Sequence, residues 1–259
     1  MINKKEQKDQ ALFDRIAWQY ARKDMIRSSL IPRKQLLLDA VQPLLGQMNS
    51  LGVILDIGCG VGASAKYLQG YYRKYIGIDQ SEKMIEAARI FNQGNPRIEF
   101  IAGNIKTLKL SGEPADVILS IGALHHMTEL DLVMRSLCRL ARPQGFILAI
   151  EPQNANPFIQ VMRRVRGWVD KSYSQDQIFF SRDELIDLFQ RNGVCNVSFD
   201  YLGYFSTPLA EVVLYPQFFF SPLSRMAAGF DSWLINHLPG KLRKFSFKIA
   251  IRGQIGFSE

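Results

Sequence analysis

The stretch VILDIGCGVG, residues 53–62, decides the fold class, because a short apolar run passes directly into a loop with three glycines. The apolar and β-branched residues of Val53–Ile57 predict a buried strand. Glycines at 58, 60 and 62 allow the loop to turn tightly and a ligand to approach its backbone. Gly58, Gly60 and Ala63 also satisfy the alanine-ended glycine fingerprint of dinucleotide-binding βαβ units. The stretch therefore predicts a nucleotide-like ligand where the first helix of the sheet begins.

Two carboxylates, Asp56 and Asp79, narrow the choice of ligand. A dinucleotide would place about two negative charges of pyrophosphate on the loop, and Asp56, two residues before the first glycine, would repel them. S-Adenosylmethionine (SAM) carries an ammonium and a sulfonium, which the same carboxylate attracts. Asp79 ends the second predicted strand, where it can accept both hydroxyl protons of a ribose. Both ligands contain that ribose, so a NAD(P)-dependent reductase remains a less favoured alternative.

Short β-branched runs alternate with helical patterns from Leu51 onward, which is typical of βαβ units and a mainly parallel sheet. Each run is mostly apolar on both faces, as in strands covered by helices on both sides. A capping box, with Ser181 three positions before Glu184, predicts a further helix through Arg191. The predicted strands are Val53–Ile57, Tyr75–Asp79, Ile98–Ala102, Ala115–Ile121, Phe146–Glu151, Val197–Tyr204 and Phe245–Arg252, and the helices between the first five are Ala63–Leu68, Glu82–Phe91 and Leu130–Leu140.

These motifs together resemble the class I SAM-dependent methyltransferase family, most clearly over residues 51–152. The resemblance implies an α/β, Rossmann-like, doubly wound fold. Its mainly parallel seven-stranded sheet would have an antiparallel last strand and helical lid insertions. The domains expected are an N-terminal helical lid over residues 1–50 and a SAM-binding methyltransferase domain over 51–259, with insertions at 154–180 and 206–240.

The resemblance also implies which residues bind the methionine and ribose of SAM. The glycine loop of the family holds the methionine part, a role that falls here to Gly58, Gly60 and Gly62. Asp56 would line the methionine end, and Asp79 would bind the ribose.

The adenine end departs from the family pattern. After strand three the family usually has an acidic residue facing the adenine amino group, whereas this chain has Gly103-Asn104-Ile105. The side-chain carbonyl of Asn104 can still accept from the amine, and the backbone N–H of Ile105 can donate to the ring. The full set of expected cofactor-binding residues is Tyr20, Asp56, Gly58, Cys59, Gly60, Gly62, Asp79, Gln80, Met84, Asn104, Ile105 and Ser120.

The end of strand four, residues 120–127, resembles the family motif that flanks the cofactor and the transferring methyl. It contains two adjacent histidines, His125 and His126. A general base is needed only if the acceptor must lose a proton, and histidine is the usual choice near neutral pH. Both histidines are therefore candidate catalytic residues, with a structural buried histidine as the alternative. No spacing of metal ligands is present, and no metal is expected.

The N-terminal stretch Phe13–Tyr20 resembles the lid-like start of small-molecule members, including quinone-type methyltransferases. In that interpretation Tyr20 covers the methionine end of SAM. Phe13, Ile16, Ala17 and Tyr20 also recur at helical spacing, so a simple packed helix face is an equal alternative.

Residues 206–240 combine aromatic side chains with three prolines. This composition suits a lid over an apolar acceptor or a patch that enters a bilayer surface, and core packing of an extra helical layer is the alternative. Arg163, Arg164 and Arg166 beside Trp168 form a second basic and aromatic group that could face anionic headgroups. The aromatic residues are Tyr215, Phe218, Phe219, Phe220, Phe230 and Trp233.

Charge and composition limit the partners. The chain has a formal net charge of +8, which attracts nucleic acid, anionic membranes and acidic substrates. Nucleic acid is the less expected partner, because the Asn/Asp-Pro-Pro-aromatic motif of amine methylation is absent after strand four. Three separated cysteines, the polar start and the lack of a long apolar run indicate a soluble, cytoplasmic protein, with peripheral membrane contact as a second expectation.

The expected function is SAM-dependent transfer of a methyl group to a small, apolar or lipid-like acceptor. An RNA or protein methyltransferase and a non-catalytic SAM-binding protein are the alternatives.

Overall fold

The computed structural model describes residues 4–108, 110, 112–157, 159 and 179–256. Most of the expected insertion at 154–180, including Arg163, Arg164, Arg166 and Trp168, lies outside these residues. The helices are α1 (Lys4–Met25), α2 (Arg27–Leu45), α3 (Ala63–Tyr67), α4 (Glu82–Phe91), α5 (Leu130–Leu140), α6 (Arg182–Gln190), α7 (Ser206–Ala210) and α8 (Gln217–His237). The strands are β1 (Val53–Ile57), β2 (Lys74–Asp79), β3 (Ile98–Ala102), β4 (Ala115–Ile121), β5 (Ala141–Pro152), β6 (Val194–Leu202) and β7 (Lys248–Ile255).

One seven-stranded sheet has the order β3-β2-β1-β4-β5-β7-β6. β1 pairs in parallel with β2 and β4, β2 with β3, and β4 with β5. β7 runs antiparallel to both of its neighbours, β5 and β6. The expected Rossmann-like, mainly parallel sheet with an antiparallel last strand is confirmed. The carboxyl ends of β1 to β5 and the start of β7 therefore lie along one edge.

Several predicted element boundaries differ from those observed. β5 begins at Ala141 instead of Phe146, because Ala141 pairs with Ala115 ahead of a register shift. β7 begins at Lys248 instead of Phe245, since Gly240–Phe245 forms a 3-10 helix. β6 covers Val194–Leu202, three residues earlier at its start than predicted, because Val194 and Cys195 already pair with β7 before a second register shift.

Helices cover both faces of the sheet. On one face, α2 packs Leu37, Val41 and Leu44 against core residues that include Ile54, Leu119 and Ala250. On the other face, α5 and α6 pack against β1, β4, β5 and β7. A third apolar cluster joins α1 to α4 and the glycine loop. This last contact places α1 above the edge where β1, β2 and β4 end.

The segment at 206–240 contains two helices, α7 and α8. α8 continues through Pro222, and its inner face is fixed by the buried Asp231, which accepts the backbone N–H of Tyr204, Phe205 and Ser206 at 2.9–3.0 Å. Its outer face is apolar and exposed, with Phe218 at 82% and Met226 at 73% exposure. Across the described ranges, no helix is both long and apolar enough to cross a membrane.

Candidate active site

The glycine loop follows β1 with three glycines in the left-handed region. Gly58 has φ +70° and packs so closely on Ala123 that a Cβ would overlap its side chain. Gly60 has φ +52°, and a Cβ there would meet no atom within 4 Å. Gly58 therefore joins the loop to the segment after β4, whereas Gly60 leaves open space above the backbone.

Asp79 links this loop to the end of β2. Its Oδ2 accepts the Gly60 N–H at 2.9 Å, and its Oδ1 accepts the Ser81 N–H at 2.9 Å. Each oxygen keeps a further lone pair for a hydroxyl donor. Burial raises the pKa of Asp79, while these two backbone donors oppose the shift. The structure thus brings Asp79 and Gly60 together, as expected of a site for a ribose and its adjoining chain.

Asp56 is buried behind the loop. One carboxylate oxygen accepts the Tyr75 hydroxyl, and the other has no hydrogen-bond partner within the described part of the chain. Burial raises the pKa of Asp56 to about 7, although the Tyr75 hydroxyl lowers it. A positive charge bound above the loop would stabilise the ionised form.

A histidine–carboxylate pair lies where β4 and β5 end. Glu151 of β5 is completely buried, and its Oε2 lies 2.6 Å from Nδ1 of His125. Its Oε1 accepts the backbone N–H of Ala123 at 3.1 Å and of Leu124 at 2.8 Å. Burial lowers the pKa of His125, against the opposing charge of Glu151. Glu151 therefore fixes both the ring and the loop that carries it.

α1 crosses this edge and contacts it through polar side chains. Gln10 donates its side-chain amide to the Gln80 carbonyl at 3.0 Å, and Asp14 accepts the Ser81 hydroxyl at 2.5 Å. His126, the second candidate base, lies with its Nδ1 3.2 Å from the buried Asp9 carboxylate. His126 thus contacts α1 through Asp9, whereas His125 contacts the sheet through Glu151.

Glu6 provides a further attachment of α1. Its Oε1 accepts the Thr128 hydroxyl at 2.5 Å and the Lys106 ammonium at 2.8 Å. Burial acts to raise the pKa of Glu6, but the bonds from Lys106 and Thr128 lower it overall. α1 therefore closes over the ends of β2, β3 and β4.

The remaining expected cofactor residues lie around the same edge. Tyr20 packs on the α1–α4 cluster with Val61 and Met84, beside the glycine loop. Cys59 points into the core, where burial raises the pKa of its thiol. The Ser120 hydroxyl is buried and has no partner within the described residues.

Asn104 and Ile105 follow β3. The Asn104 side-chain oxygen already accepts the Lys106 N–H at 2.9 Å, and the Ile105 side chain is buried in the core. Asn104 therefore also fixes the turn in which it lies, and its contact with adenine remains a prediction.

Sequence reasoning missed Glu151, Asp9 and Glu6. Glu151 ends a strand that is otherwise apolar, and a carboxylate in that position was the available signal. Asp9 and Glu6 gave no such signal, because they lie in a polar, charged stretch and contact residues more than 100 positions away.

The residues present fit SAM as a ligand. The backbone at Gly60 is open to a ligand, since a Cβ there would meet no atom within 4 Å, and one buried Asp56 oxygen has no hydrogen-bond partner among the described residues. The Asp79 carboxylate has acceptor capacity for ribose hydroxyls. A cationic ligand matches these two carboxylates, whereas a pyrophosphate does not.

Comparison with known sequences supports this interpretation. Residues 55–149 match the family described as "Methyltransferase domain". The ubiquinone biosynthesis O-methyltransferase of Roseobacter denitrificans is 29% identical over 164 residues, covering 61% of this chain and 64% of the relative. The uncharacterized methyltransferase YcgJ of Bacillus subtilis is 28% identical over 142 residues, covering 51% and 56%. The chain thus spans somewhat less than two thirds of the length of these curated relatives.

Solved structures share the fold over nearly the whole chain. A SAM-dependent methyltransferase from Thermotoga maritima has a TM-score of 0.63 at 18% identity, covering 94% of this chain and 98% of that one. The magnesium protoporphyrin IX methyltransferase of Synechocystis, solved with S-adenosylhomocysteine, has a TM-score of 0.61 at 14% identity, covering 97% and 100%. The matched domain, the sheet order and the glycine loop agree: residues 55–149 are similar to the methyltransferase domain family, and the chain has the Rossmann-like fold of class I SAM-dependent methyltransferases.

Proposed function

We propose that this protein transfers the methyl group of SAM to a hydroxyl oxygen of a small, apolar or lipid-like acceptor, at the cytoplasmic surface of a membrane. The observation that carries the proposal is the pair of His125 and Glu151, whose Nδ1 and Oε2 lie 2.6 Å apart at the carboxyl edge of the sheet. The similarity to an O-methyltransferase of ubiquinone biosynthesis supports oxygen as the acceptor atom.

Glu151 prepares His125 to accept a proton. Nδ1–H donates to Glu151, which leaves the lone pair on Nε2. The lowered pKa of His125 keeps the ring neutral near pH 7, so that Nε2 can take the proton of a hydroxyl. SAM, when bound, supplies an electrophilic methyl carbon. The chain then has to orient the hydroxyl, remove its proton and exclude water.

α1 supplies the exclusion of water. Its contacts through Glu6, Asp9 and Asp14 lie at the edge of the sheet that carries the residues proposed to bind the cofactor. Ligand entry therefore requires α1 to move, and its return encloses the reacting atoms. This supports a small acceptor, because a bulky polymer could not be enclosed beneath a helix packed so closely.

Cofactor binding is tested by calorimetry with SAM, S-adenosylhomocysteine, NAD and NADP. We expect binding of the first two only. Binding of a dinucleotide with no binding of SAM would overturn the proposal, and SAM binding without methylation of any hydroxyl acceptor would favour a non-catalytic SAM-binding protein.

The base is tested by comparing His125→Gln with His126→Gln. Loss of a general base lowers kcat by about 10²–10⁴-fold, and we expect this for His125→Gln with SAM affinity near normal. His126→Gln is the matched control, because His126 contacts Asp9 of α1 instead of Glu151. Equal, small effects of both changes would mean that proximity alone drives transfer.

The exposed face of α8 supports the membrane part of the proposal. Along one stripe of α8, Phe219, Leu223, Met226, Phe230 and Trp233 are all at least 39% exposed. Each ring that enters a bilayer surface gains about 1.5–3 kcal/mol from burial.

Basic side chains within α8 and in the 3-10 helix that follows it add attraction to anionic lipid. Arg225, Lys241, Arg243 and Lys244 each contribute about 1 kcal/mol near an anionic surface. The same charges would oppose association of two identical faces, which favours a membrane over a second copy of the chain.

Sedimentation with vesicles tests this face. We expect the wild type to sediment with phosphatidylglycerol vesicles and less with phosphatidylcholine vesicles, and the double change Phe218→Ser and Met226→Ser to abolish sedimentation. Ile90→Ser is the matched control, because Ile90 is an exposed apolar residue of α4. Sedimentation unchanged by the double substitution would refute the membrane contact.

A further inference from the structure

A cleft of about 450 Å³ lies at the amino ends of β2 and β3, on the edge of the sheet opposite to the carboxyl ends. It is lined by the segments that join α3 to β2 and α4 to β3. Cavities that hold small organic ligands have volumes of about 300–1,000 Å³. The cleft is therefore large enough for a molecule of the size of a sugar phosphate or a mononucleotide.

The lining of this cleft is polar and positively charged. Lys66 and Arg97 are its charged residues, and no carboxylate is among the described residues that line it. Neither cation has an ion-pair partner in the described part of the chain, whereas Lys74, at the start of β2, is paired with Glu99 at 3.1 Å. Two cations without a carboxylate favour an anionic ligand, and a phosphate monoester brings about two negative charges.

Amide side chains add directional hydrogen bonding to the same cleft. Gln69, Asn92 and Gln93 line it, and each amide offers both donors and an acceptor, which suits the hydroxyl groups of a sugar. Asn92 is buried, and its Oδ1 has no hydrogen-bond partner among the residues that the structure describes. An unpaired buried acceptor is unfavourable. A hydroxyl or amine group of a ligand can supply the missing donor.

The residues of the cleft also hold the glycine loop. The Asn92 amide donates to the Gly62 carbonyl at 3.3 Å and to the Ala88 carbonyl at 2.9 Å. Lys66 lies in α3, which begins directly after Gly62. Phe91, which lines the cleft, packs on the apolar cluster that joins α1 to α4 and the loop. A ligand in the cleft would therefore contact elements that position the loop and α1.

We propose that this cleft is an effector site for an organic phosphate monoester. Lys66 and Arg97 bind the phosphate, and the amide side chains bind hydroxyl groups. A phosphorylated pentose, either free or within a mononucleotide, has this chemistry. Coupling between two sites is reciprocal, so a ligand that restrains the wall behind Gly62 should raise the affinity for SAM, and SAM should raise the affinity for this ligand. The inference is independent of the methyl acceptor, the base and the membrane contact.

Calorimetry with ribose 5-phosphate, adenosine monophosphate, adenosine and inorganic phosphate tests the site. Saturating S-adenosylhomocysteine is present throughout, so that no probe enters the cofactor site. The wild type should bind ribose 5-phosphate and adenosine monophosphate at least about tenfold more tightly than adenosine or inorganic phosphate, because both the charged and the hydroxyl contacts contribute. Tighter binding of ribose 5-phosphate would identify the free sugar phosphate as the ligand, and tighter binding of the monophosphate a nucleotide.

Two double variants test which residues bind the phosphate. Lys66→Met with Arg97→Met should weaken the binding of ribose 5-phosphate about tenfold or more, and both side chains are exposed, so the protein should fold. Lys34→Met with Arg135→Met is the matched control. It removes the same charge from exposed side chains of α2 and α5 that lie outside the cleft, and it should leave binding unchanged.

Three results would overturn the site: no binding of either phosphate ester by the wild type, inorganic phosphate binding as tightly as the esters, or an equal loss of binding in the two double variants. Titration of SAM with and without saturating ribose 5-phosphate tests the effector role. We expect SAM affinity to rise about fivefold or more with ribose 5-phosphate present, and an unchanged affinity would overturn that role.

Discussion

Replacing Glu151 by Gln changes one atom in a carboxylate that accepts three hydrogen bonds. The Gln oxygen can keep the backbone N–H groups of Ala123 and Leu124, but the amide nitrogen must then face Nδ1 of His125 as a donor. The ring can satisfy that donor only by moving its own proton to Nε2. The substitution should therefore reverse the tautomer of His125 and remove the lone pair that accepts the proton.

The cost in stability follows from the same contacts. One charge-assisted hydrogen bond to a buried group is worth about 1.5–3 kcal/mol. A loss of about 2 kcal/mol lowers the melting temperature by roughly 4–8 °C for a chain of this size. Activity should fall by about 10²–10⁴-fold in kcat, because the base is lost.

Nitrogen-15 NMR of the histidine ring reports the tautomer directly and needs no acceptor. Calorimetry of SAM binding shows whether the site survives, and Glu113→Gln is the control, because Glu113 is an exposed carboxylate paired with Arg73. If Glu151→Gln kept the proton on Nδ1, or kept kcat within about threefold in a folded protein, the argument for an oriented base would fail.

Three further substitutions test the cofactor site. Gly60→Val should abolish SAM binding, because its side chain fills the open space above the loop. Gly70→Val is the control: Gly70 has φ +95° and equally open surroundings, so the change imposes similar backbone strain, but the protein should still bind SAM. Normal SAM binding by Gly60→Val would show that the glycine loop is not part of the site. Asp79→Asn should weaken SAM binding by about 1–2 kcal/mol through loss of charge-assisted bonds to ribose, and an unchanged dissociation constant in calorimetry would exclude Asp79. Because the pKa of Asp56 is about 7 and a bound cation favours its ionised form, SAM affinity should rise up to about tenfold from pH 6 to pH 8. Asp56→Asn should make SAM affinity independent of pH over this range. If its pH profile matched that of the wild type, Asp56 would not contribute to SAM binding.

The sequence could predict the parts of the site that depend on local sterics. Gly58 and Gly60 adopt the left-handed backbone that only glycine enters easily, so their spacing is enough to indicate the loop. Glu151 could not be assigned in this way, because its role depends on β4 and β5 lying side by side and on the loop after β4 folding back. Strand boundaries also differed from those predicted where strand pairing outweighed turn-forming residues. β5 begins at Ala141 and continues through Pro143 and Gly145.

Contacts of the N-terminal helix were beyond prediction for a related reason. Thr128 meets Glu6 across 122 positions of sequence, and nothing in either residue indicates the other. Helical periodicity predicted a packed face on α1, but it could not say that the polar residues of that helix would form the attachments.

The position of β7 in the sheet has a consequence for biosynthesis. Within the described residues, β6 forms its ladder with β7 alone, and β7 lies between β5 and β6. As the chain leaves the ribosome, β1 to β5 can pair in order of their synthesis, while Val194–Leu202 must wait for Lys248–Ile255. Pairing at such sequence separation closes slowly, so the half of the sheet that holds Lys248 is completed only in the final stage of folding. A nascent chain that has formed its glycine loop therefore still exposes the β5 edge, which makes this edge the place where association with other chains is most to be expected during synthesis.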